Sequence, residues 1–170
     1  GYIEPSFATI SAYGANAAMC HYSATKESDT VLEDHGFYLV DSGGQYYEGT
    51  TDITRTIALG ELTEEEKEHF TLVLISMLRL KEVKFLYGCR GLSLDYVARE
   101  PFWSRGLNFD HGTGHGVGYL LNVHERPNGI RFRMVPERHD NGVLEAGMIT
   151  SDEPGLYIEG SHGIRTENLI

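Results

Sequence analysis

Two pairs of acidic residues and one histidine are the part of this sequence best suited to chemistry. Asp41 and Asp52 stand eleven residues apart in DSGGQYYEGTTD. Glu153 and Glu167 stand fourteen residues apart in DEPGLYIEGSHGIRTE. Between the pairs lies a histidine-rich loop, HGTGHGVGYLLNVHERP, which contains His115. Four carboxylates and an imidazole suit two hard divalent cations, and such a pair of cations can activate water.

Electrostatic repulsion gives a reason to expect cations among these acids. Two strands with a short connection can place Asp41 and Asp52 side by side, and Glu153 and Glu167 repeat the pattern with a longer loop. Four buried negative charges need compensation, which two divalent ions supply. Any one of these acids alone is more simply an ordinary residue of a turn or strand end. The complete set together with the histidine loop favours a metal site.

The histidines differ in how well their surroundings support a function. His115 is the expected nitrogen ligand, because the glycines around it permit close backbone approach. His124, nine residues on, can face the same cavity and donate to an oxyanion or leaving group. His21 follows an apolar segment and could reach the site from the other half, although a lone histidine in such a place is more often a core residue. Four further histidines are predicted to lie at the surface: His35, His69, His139 and His162.

Strands are predicted where these acids must be held. GFYLVDSG forms an apolar run that ends at Asp41, GGQYYEG is typical of a turn, and TTDITRTIALG reads as the returning strand. AGMITSDEPG predicts another strand ending in acids, and GIRTENLI begins a further one. An additional strand is expected around Ala18–Tyr22, whereas residues 107–143 are glycine-rich and expected to be mostly irregular.

Two helices are predicted between the acidic pairs. Thr63 and Glu66 form a capping box, and Gly88 is expected to end the helix that follows. A second helix is expected from Ser93, with a kink or early stop caused by Pro101. The apolar stripe expected on the first helix consists of Phe70, Val73, Leu74, Met77, Leu78 and Leu80.

Composition narrows the class of protein. The 170 residues carry a formal net charge of −11, which argues against nucleic acid and anionic membrane surfaces as partners. An apolar share of 41% and this length suit one globular domain over residues 1–170. The two cysteines, Cys20 and Cys89, lack CxxC spacing and imply no disulfide framework. With no signal peptide and no membrane-spanning apolar run, the cytoplasm is the expected compartment.

Four motifs together resemble the pita-bread metallopeptidases, and specifically their aminopeptidase P (Xaa-Pro aminopeptidase) branch. They are VDSGGQYYEGTTDITRT, HGTGHGVGYLLNVHERP, LEAGMITSDEPGLY and GIRTENL, and they occur in the family's order. The resemblance runs from about Ser6 to the last residue. It implies an α+β pita-bread fold, with a curved antiparallel sheet and covering helices.

The resemblance also implies a role for each candidate site residue. Asp41 would chelate one metal ion, His115 and Glu153 would hold the other, and Asp52 and Glu167 would bridge the two. A hydroxide between the ions would attack the first peptide bond, with Glu153 as proton acceptor. His124 would lie near the tetrahedral oxyanion, and His21 and His111 would contact the substrate around the proline. Arg165 would orient carboxylates by bidentate hydrogen bonds, and Tyr157 would lie beside it or be simply a packed aromatic residue.

The implied activity is removal of the N-terminal residue from peptides with proline in second position. The implied cofactors are two divalent ions. They are expected to be manganese, which the family most often uses, although affinity alone favours Zn²⁺ or Co²⁺. The partners are peptide substrates, with a homodimer possible in a full-length parent. Three alternatives stay open: a prolidase-type dipeptidase, a metal-free creatinase-like hydrolase, and a non-catalytic module that binds peptides.

The extent of the sequence carries one more expectation. Relative to the family, the N-terminal domains, the first helices and the last strand are missing, so the chain is interpreted as part of a longer protein. Part of the sheet should then be exposed, and Glu167 should be poorly anchored. We therefore expect weak metal binding by this segment alone.

Overall fold

The computed structural model describes all residues from 1 to 170. It contains five small antiparallel sheets and two α-helices. The helices are α1, Glu64–Lys81, and α2, Gly91–Trp103, with short 3₁₀ helices at Gly14–Ala18 and Pro136–Arg138. The strands are β1 Tyr2–Pro5, β2 Ile10–Tyr13, β3 Phe37–Ser42, β4 Gly44–Tyr46, β5 Gly49–Thr50, β6 Ile53–Ala58, β7 Gly114–Gly116, β8 Glu125–Ile130, β9 Ser151–Asp152, β10 Gly155–Ile158, β11 His162–Arg165 and β12 Asn168–Leu169. Neither α-helix is both long and apolar enough to cross a lipid bilayer.

Strand β3 lies between β2 and β6 and carries the first acidic pair. Asp41 on β3 is paired with Thr54 on β6, so the predicted strand and its returning partner are confirmed. Side chains on a strand alternate between faces, and Asp52, two residues before Thr54, therefore lies on the same side as Asp41. The segment predicted as a turn, GGQYYEG, contains a turn at residues 47–48, and β4 and the first residue of β5 pair around it as a small hairpin.

The second acidic pair lies on one interrupted hairpin. β9 pairs with β12, with Asp152 opposite Asn168, and β10 pairs with β11, with Gly155 opposite Arg165. Both ladders share one register, which places Glu153 opposite Glu167 in the break between them. The chain thus brings each acidic pair together by strand pairing.

Helix α1 begins as predicted and ends earlier. Thr63 accepts a hydrogen bond from the Glu66 backbone, and the Glu66 carboxylate accepts one from Thr63, which confirms the capping box. The helix ends at Lys81 rather than at Gly88, which lies in a separate turn with φ of +97°. The predicted apolar stripe is partly wrong, because Leu74 and Leu78 are exposed. The buried face consists of His69, Leu72, Val73, Ser76, Met77 and Leu80.

Helix α2 packs against α1 and continues to Trp103, two residues past Pro101. It begins at Gly91, two residues before the predicted start. The Ser76 hydroxyl of α1 donates to the Ala98 carbonyl of α2 at 2.6 Å, which fixes the contact between the helices. Within the predicted irregular region, residues 107–143, the chain forms β7, β8 and a 3₁₀ helix.

The main core lies between the two helices and strands β3, β10 and β11. Two of the four histidines predicted to lie at the surface are buried beside it. His35 and His139 are exposed as predicted, but His69 and His162 are buried, with 8% and 1% of their surface exposed. One nitrogen of each ring forms a hydrogen bond of 2.9 Å with the other ring, and the second nitrogen of His162 lies 2.8 Å from the Ser161 hydroxyl. The buried apolar residues of this core are Phe37, Leu72, Val73, Phe102, Phe109, Leu156 and Ile164.

The strand predicted around Ala18–Tyr22 is absent. Residues 14–18 form a 3₁₀ helix, and a turn follows. Tyr22 is buried, and its hydroxyl donates to the Ser28 carbonyl at 2.8 Å while accepting from the Asn16 amide. These side-chain bonds hold a folded connection in place of a strand ladder.

Candidate metal centre

Three of the five predicted ligands lie within mutual coordination distance. Ligand atoms of Asp52, His115 and Glu167 all lie within 4.8 Å of one another. They come from three distant segments: the residue before β6, strand β7, and the link between β11 and β12. Asp41 and Glu153 line the same cleft, so all five predicted side chains face one space.

Asp41 presents an unpaired oxygen to this space. Its Oδ2 accepts a hydrogen bond of 2.7 Å from Arg165 Nη2, but its buried Oδ1 has no partner. Burial raises the pKa of Asp41 despite the lowering effect of Arg165, and Asp52 and Glu153 raise it further. A buried carboxylate oxygen left unpaired costs free energy, so its surroundings fit a cation.

His115 is held with one ring nitrogen turned towards the acids. Its Nδ1 donates to the Gly116 carbonyl at 2.9 Å, which leaves Nε2 3.4 Å from Asp52 Oδ2 and 3.2 Å from Glu153 Oε1. Burial alone would lower the pKa of His115, but hydrogen bonds to Asp52 and Glu153 outweigh it and raise the pKa to about 10. The carboxylates thus stabilise positive charge at Nε2, which is where a metal ligand atom is needed.

Glycines on either side of His115 allow β7 to approach its neighbours. A Cβ at Gly114 would lie 1.8 Å from the Ser151 carbonyl, and one at Gly116 would lie 2.3 Å from the Glu125 carbonyl. The Ser151 hydroxyl accepts from the His115 backbone at 2.9 Å and donates to Glu153 Oε1 at 2.9 Å. The close packing therefore links the predicted nitrogen ligand to a predicted carboxylate ligand through one side chain.

Glu167 is firmly held, contrary to the sequence-based expectation. It is 1% exposed, and its Oε2 accepts from the Thr54 hydroxyl at 2.7 Å. Its backbone N–H also donates to the Thr54 carbonyl at 3.2 Å. Burial, followed by the charges of Glu153 and Asp52, raises the pKa of Glu167 to about 9. The expectation of a loosely held Glu167 is therefore wrong, because β6 anchors this residue through Thr54.

Glu153 differs in electrostatic character from Glu167 across the hairpin. Burial alone would raise the pKa of Glu153, but His115, first by a hydrogen bond and then by charge, together with His111 and Arg165 lowers it. One glutamate therefore favours the ionised state and its neighbour the protonated state. Such a division is typical of carboxylates that share a site.

Arg165 and Tyr157 form a network behind Asp41. Arg165 donates to Asp41, to the Tyr157 hydroxyl at 2.9 Å and to the Thr54 hydroxyl at 3.2 Å. The Tyr157 hydroxyl lies 2.8 Å from His111 Nε2, and His111 Nδ1 lies 2.7 Å from the Gly112 carbonyl. Burial lowers the pKa of His111, which favours a neutral ring with Nδ1 as donor and Nε2 as acceptor. Tyr157 is thus more than a packed aromatic residue, because it connects His111 to Arg165.

His21 and His124 line a cleft of about 750 Å³ that opens onto the acidic cluster. The His124 ring lies edge-on to the His115 ring, with centroids 4.4 Å apart. Burial and the nearby His115 lower the pKa of His124. His21 lies in the turn after the first 3₁₀ helix and is exposed, so neither residue is a core histidine.

Sequence reasoning missed the small hydroxyl residues and one acid. Thr54 and Ser151 bond predicted ligands directly, and the only sequence signal is their closeness to Asp52 and Glu153. Asp152 is fully buried on the opposite face of β9, and both its carboxylate oxygens lack hydrogen-bond partners. Burial and Glu153 raise its pKa to about 8, which favours a neutral acid.

Comparison with known proteins identifies the family to which this fold belongs. The model of metallopeptidase family M24 matches residues 1–170. The chain belongs to this family. Its sequence is 47% identical over 169 residues to a protein named "Probable Xaa-Pro aminopeptidase P" from Paracoccidioides brasiliensis (strain Pb03), and the match covers 99% of this chain and 27% of the relative.

Solved structures show the same relationship. The crystal structure of an X-prolyl aminopeptidase from Caenorhabditis elegans, described as a cytosolic enzyme with a di-nuclear active site, superposes with a TM-score of 0.91 at 42% identity, covering 99% of this chain and 26% of that one. Prolidase from Pyrococcus furiosus gives a TM-score of 0.85 at 35% identity, covering 99% and 47%. The chain therefore adopts the pita-bread fold and spans about a quarter of the length of its aminopeptidase relatives.

Proposed function

We propose that this chain forms the catalytic site of a metal-dependent aminopeptidase that releases the N-terminal residue from peptides with proline in second position. The observation that carries the proposal is the convergence of Asp52, His115 and Glu167, whose ligand atoms lie within 4.8 Å of one another. The relatives named Xaa-Pro aminopeptidase P give the substrate class.

The donor set fits two divalent cations. Four carboxylates carry the compensating charge, the unpaired Oδ1 of Asp41 offers a free ligand atom, and Nε2 of His115 faces Asp52 and Glu153. When the ions are bound, Asp41 would serve as ligand to one, His115 and Glu153 would serve the other, and Asp52 and Glu167 would serve both. Oxygen-rich donor sets suit Mn²⁺, which is our proposed metal, with Zn²⁺ and Co²⁺ as competitors of higher intrinsic affinity.

Side chains of this chain would perform the remaining steps. When bound, two divalent cations supply Lewis acidity and a nucleophile derived from water at neutral pH. Glu153 is suited to accept a proton, because its neighbours keep it ionised and it lies at the cleft wall. His124 lies beside His115, and its proposed role is to donate a hydrogen bond to the developing oxyanion. His21 and His111 line the same cleft and are proposed to contact the proline.

Three alternative functions differ from the proposed one in substrate or in the ligands they need. A prolidase-type enzyme would cleave Xaa-Pro dipeptides, and the similarity to Pyrococcus furiosus prolidase makes this the second candidate. A metal-free creatinase-like hydrolase would not need the complete ligand set. A non-catalytic peptide-binding module would typically have lost ligands, whereas all five candidate side chains are present here.

Hydrolysis by the full-length protein tests the proposal. We expect cleavage of an Xaa-Pro-Xaa tripeptide with Mn²⁺, no cleavage with a chelator, and weak cleavage of an Xaa-Pro dipeptide. Asp52→Asn should abolish turnover while the protein stays folded, because the bridging charge is lost. Turnover that persists in the chelator or in Asp52→Asn would contradict the proposal, and a preference for the dipeptide would favour the prolidase alternative.

Two further proposals concern the cellular location and the oligomeric state. We propose a cytoplasmic location, since the Caenorhabditis elegans relative is described as cytosolic. We also propose that the full-length protein forms a homodimer, which light scattering of the purified protein tests. The weak metal binding expected of the isolated segment stays a prediction, but its stated cause, a loose Glu167, is absent.

A further inference from the structure

Helix α2 carries an ion pair that is fully buried and lies outside the predicted ligand set. Arg99 Nε donates to Asp95 Oδ2 at 2.5 Å, and both side chains have 0% of their surface exposed. Burying two charges costs desolvation free energy, and an apolar pair of similar size is often as stable. The pair therefore calls for an explanation other than stability.

Arg99 binds the loop that leads to the predicted nitrogen ligand. Its Nη1 donates to the Phe109 carbonyl at 2.5 Å and to Asn108 Oδ1 at 3.1 Å, and its Nη2 donates to the His111 carbonyl at 2.8 Å. The guanidinium lies between two aromatic rings, 3.9 Å from the Phe109 centroid and 4.4 Å from that of Phe132. One side chain thus bonds three of the four residues 108–111 and fixes the path of this loop.

Asp95 continues the chain of contacts to two predicted ligands. Its Oδ1 accepts from the Thr113 hydroxyl at 2.6 Å, and the Thr113 carbonyl accepts from the Glu153 backbone at 2.8 Å. Thr113 is fully buried and lies two residues before His115. The buried carboxylate is therefore two hydrogen bonds away from Glu153 and one short peptide segment away from His115.

We propose that Asp95 and Arg99 are positioning residues, which hold His111, His115 and Glu153 in the geometry that the metal centre needs. The inference rests on the proposed function, because the roles of those three residues belong to it. Asp95 and Arg99 themselves touch neither the cleft nor the acidic cluster, so they act only through Thr113 and the backbone of residues 108–111.

Thr113→Val in the full-length protein is the sharpest test. Valine matches threonine in shape but cannot donate to Asp95, while the backbone bond to Glu153 is kept. We expect Mn²⁺ affinity by calorimetry to fall about 10-fold or more. We also expect faster hydrogen exchange at residues 107–118 in the metal-free protein, and a lower kcat with KM nearly unchanged. Thr71→Val is the matched control, because it removes a threonine hydroxyl bond to the Lys67 carbonyl on the exposed face of α1, and it should change none of these quantities.

A double variant separates positioning from stability. Asp95→Leu with Arg99→Met replaces the ion pair with apolar side chains, and we expect a folded protein with Mn²⁺ affinity about 10- to 100-fold lower. If this variant does not fold, Thr113→Val decides alone. Affinity, exchange and kcat within about twofold of wild type in Thr113→Val would overturn the proposal. If wild type itself neither binds Mn²⁺ nor cleaves peptides, the proposed function fails, and the exchange measurement still decides whether the pair fixes the loop.

Discussion

His162 Nε2 lies 2.9 Å from His69 Nδ1, and this bond joins the β10–β11 turn to helix α1. Burial lowers the pKa of His162, the neighbouring His69 lowers it further, and Glu66 and Glu65 oppose the shift. The Ser161 hydroxyl and the Phe37 ring complete its surroundings. Burial thus favours a neutral His162 ring at this contact between two layers of the fold.

This contact predicts acid sensitivity. Because the folded protein holds the pKa of His162 below its ordinary value of 6.5, the unfolded chain binds the proton more readily. The free energy of unfolding should therefore be complete above pH 6.5 and fall as pH decreases through and below that value. His162→Gln should cost about 1 kcal/mol at pH 7.5 and reduce the loss between pH 7.5 and 5.5, measured by urea unfolding with a chelator present. His139→Gln, at an exposed site, should leave the loss as in wild type, and an equal loss in His162→Gln would contradict the prediction.

Glu167 is the ligand candidate best suited to a test by metal stabilisation. Its pKa of about 9 means that glutamine resembles the state it adopts without metal, so Glu167→Gln should change metal-free stability by less than about 1 kcal/mol. Wild type should gain about 2.7 kcal/mol from Mn²⁺ at 100 times its Kd, and the variant should gain little. Unfolding with and without Mn²⁺ measures both, and Glu159→Gln, an exposed acid of the same hairpin, should behave as wild type. An undiminished gain in Glu167→Gln would remove it from the ligand set.

Gly114 has no room for a side chain. A Cβ there would lie 1.8 Å from the Ser151 backbone carbonyl, so Gly114→Ala must push β7 away from the segment that carries Glu153. We expect a loss of about 2 kcal/mol or more in stability, and a larger proportional loss of Mn²⁺ affinity. Gly112→Ala is the matched control, because its Cβ meets only the movable end of Arg131 at 3.0 Å. Thermal unfolding measures the stability and calorimetry the Mn²⁺ affinity. Equal losses in Gly114→Ala and Gly112→Ala would refute the prediction.

Arg165 should not be replaceable by lysine. A single ammonium group cannot bond Asp41, Tyr157 and Thr54 together as the guanidinium does. We expect Arg165→Lys to lower Mn²⁺ affinity about 10- to 100-fold, measured by calorimetry. Arg79→Lys alters an exposed ion pair with Glu100 and should have no effect. Wild-type affinity in Arg165→Lys would show that charge alone, without the forked geometry, holds Asp41.

Local signals in the sequence were sufficient for the elements that carry the acids. The capping box at Thr63 and Glu66, the strand ending at Asp41 and its returning partner are all confirmed, because each depends on neighbouring residues. Five scattered candidates could be placed in one cleft because their spacing matched a family pattern. Their metal-binding roles are still predictions.

Long-range contacts account for most of the errors. Polarity suggested a surface position for His69 and His162, but each ring satisfies the other across 93 residues of sequence. The expectation of a poorly anchored Glu167 considered only the strand that follows it in the family, whereas its anchor, Thr54, lies 113 residues away. The end of α1 was missed because Gly88 signals a turn without fixing where the preceding helix ends. No local pattern contains such information.

Thr54 also constrains the order in which the protein can assemble. Its backbone pairs with Asp41 within a local ladder, but its hydroxyl reaches Glu167 only when the end of this segment has docked. Contacts of such separation close late, since the intervening loop must first lose its freedom. On the ribosome, a nascent chain that has not yet released residue 167 would hold an incomplete ligand set, so its affinity for cations should rise abruptly when the hairpin of β9–β12 forms.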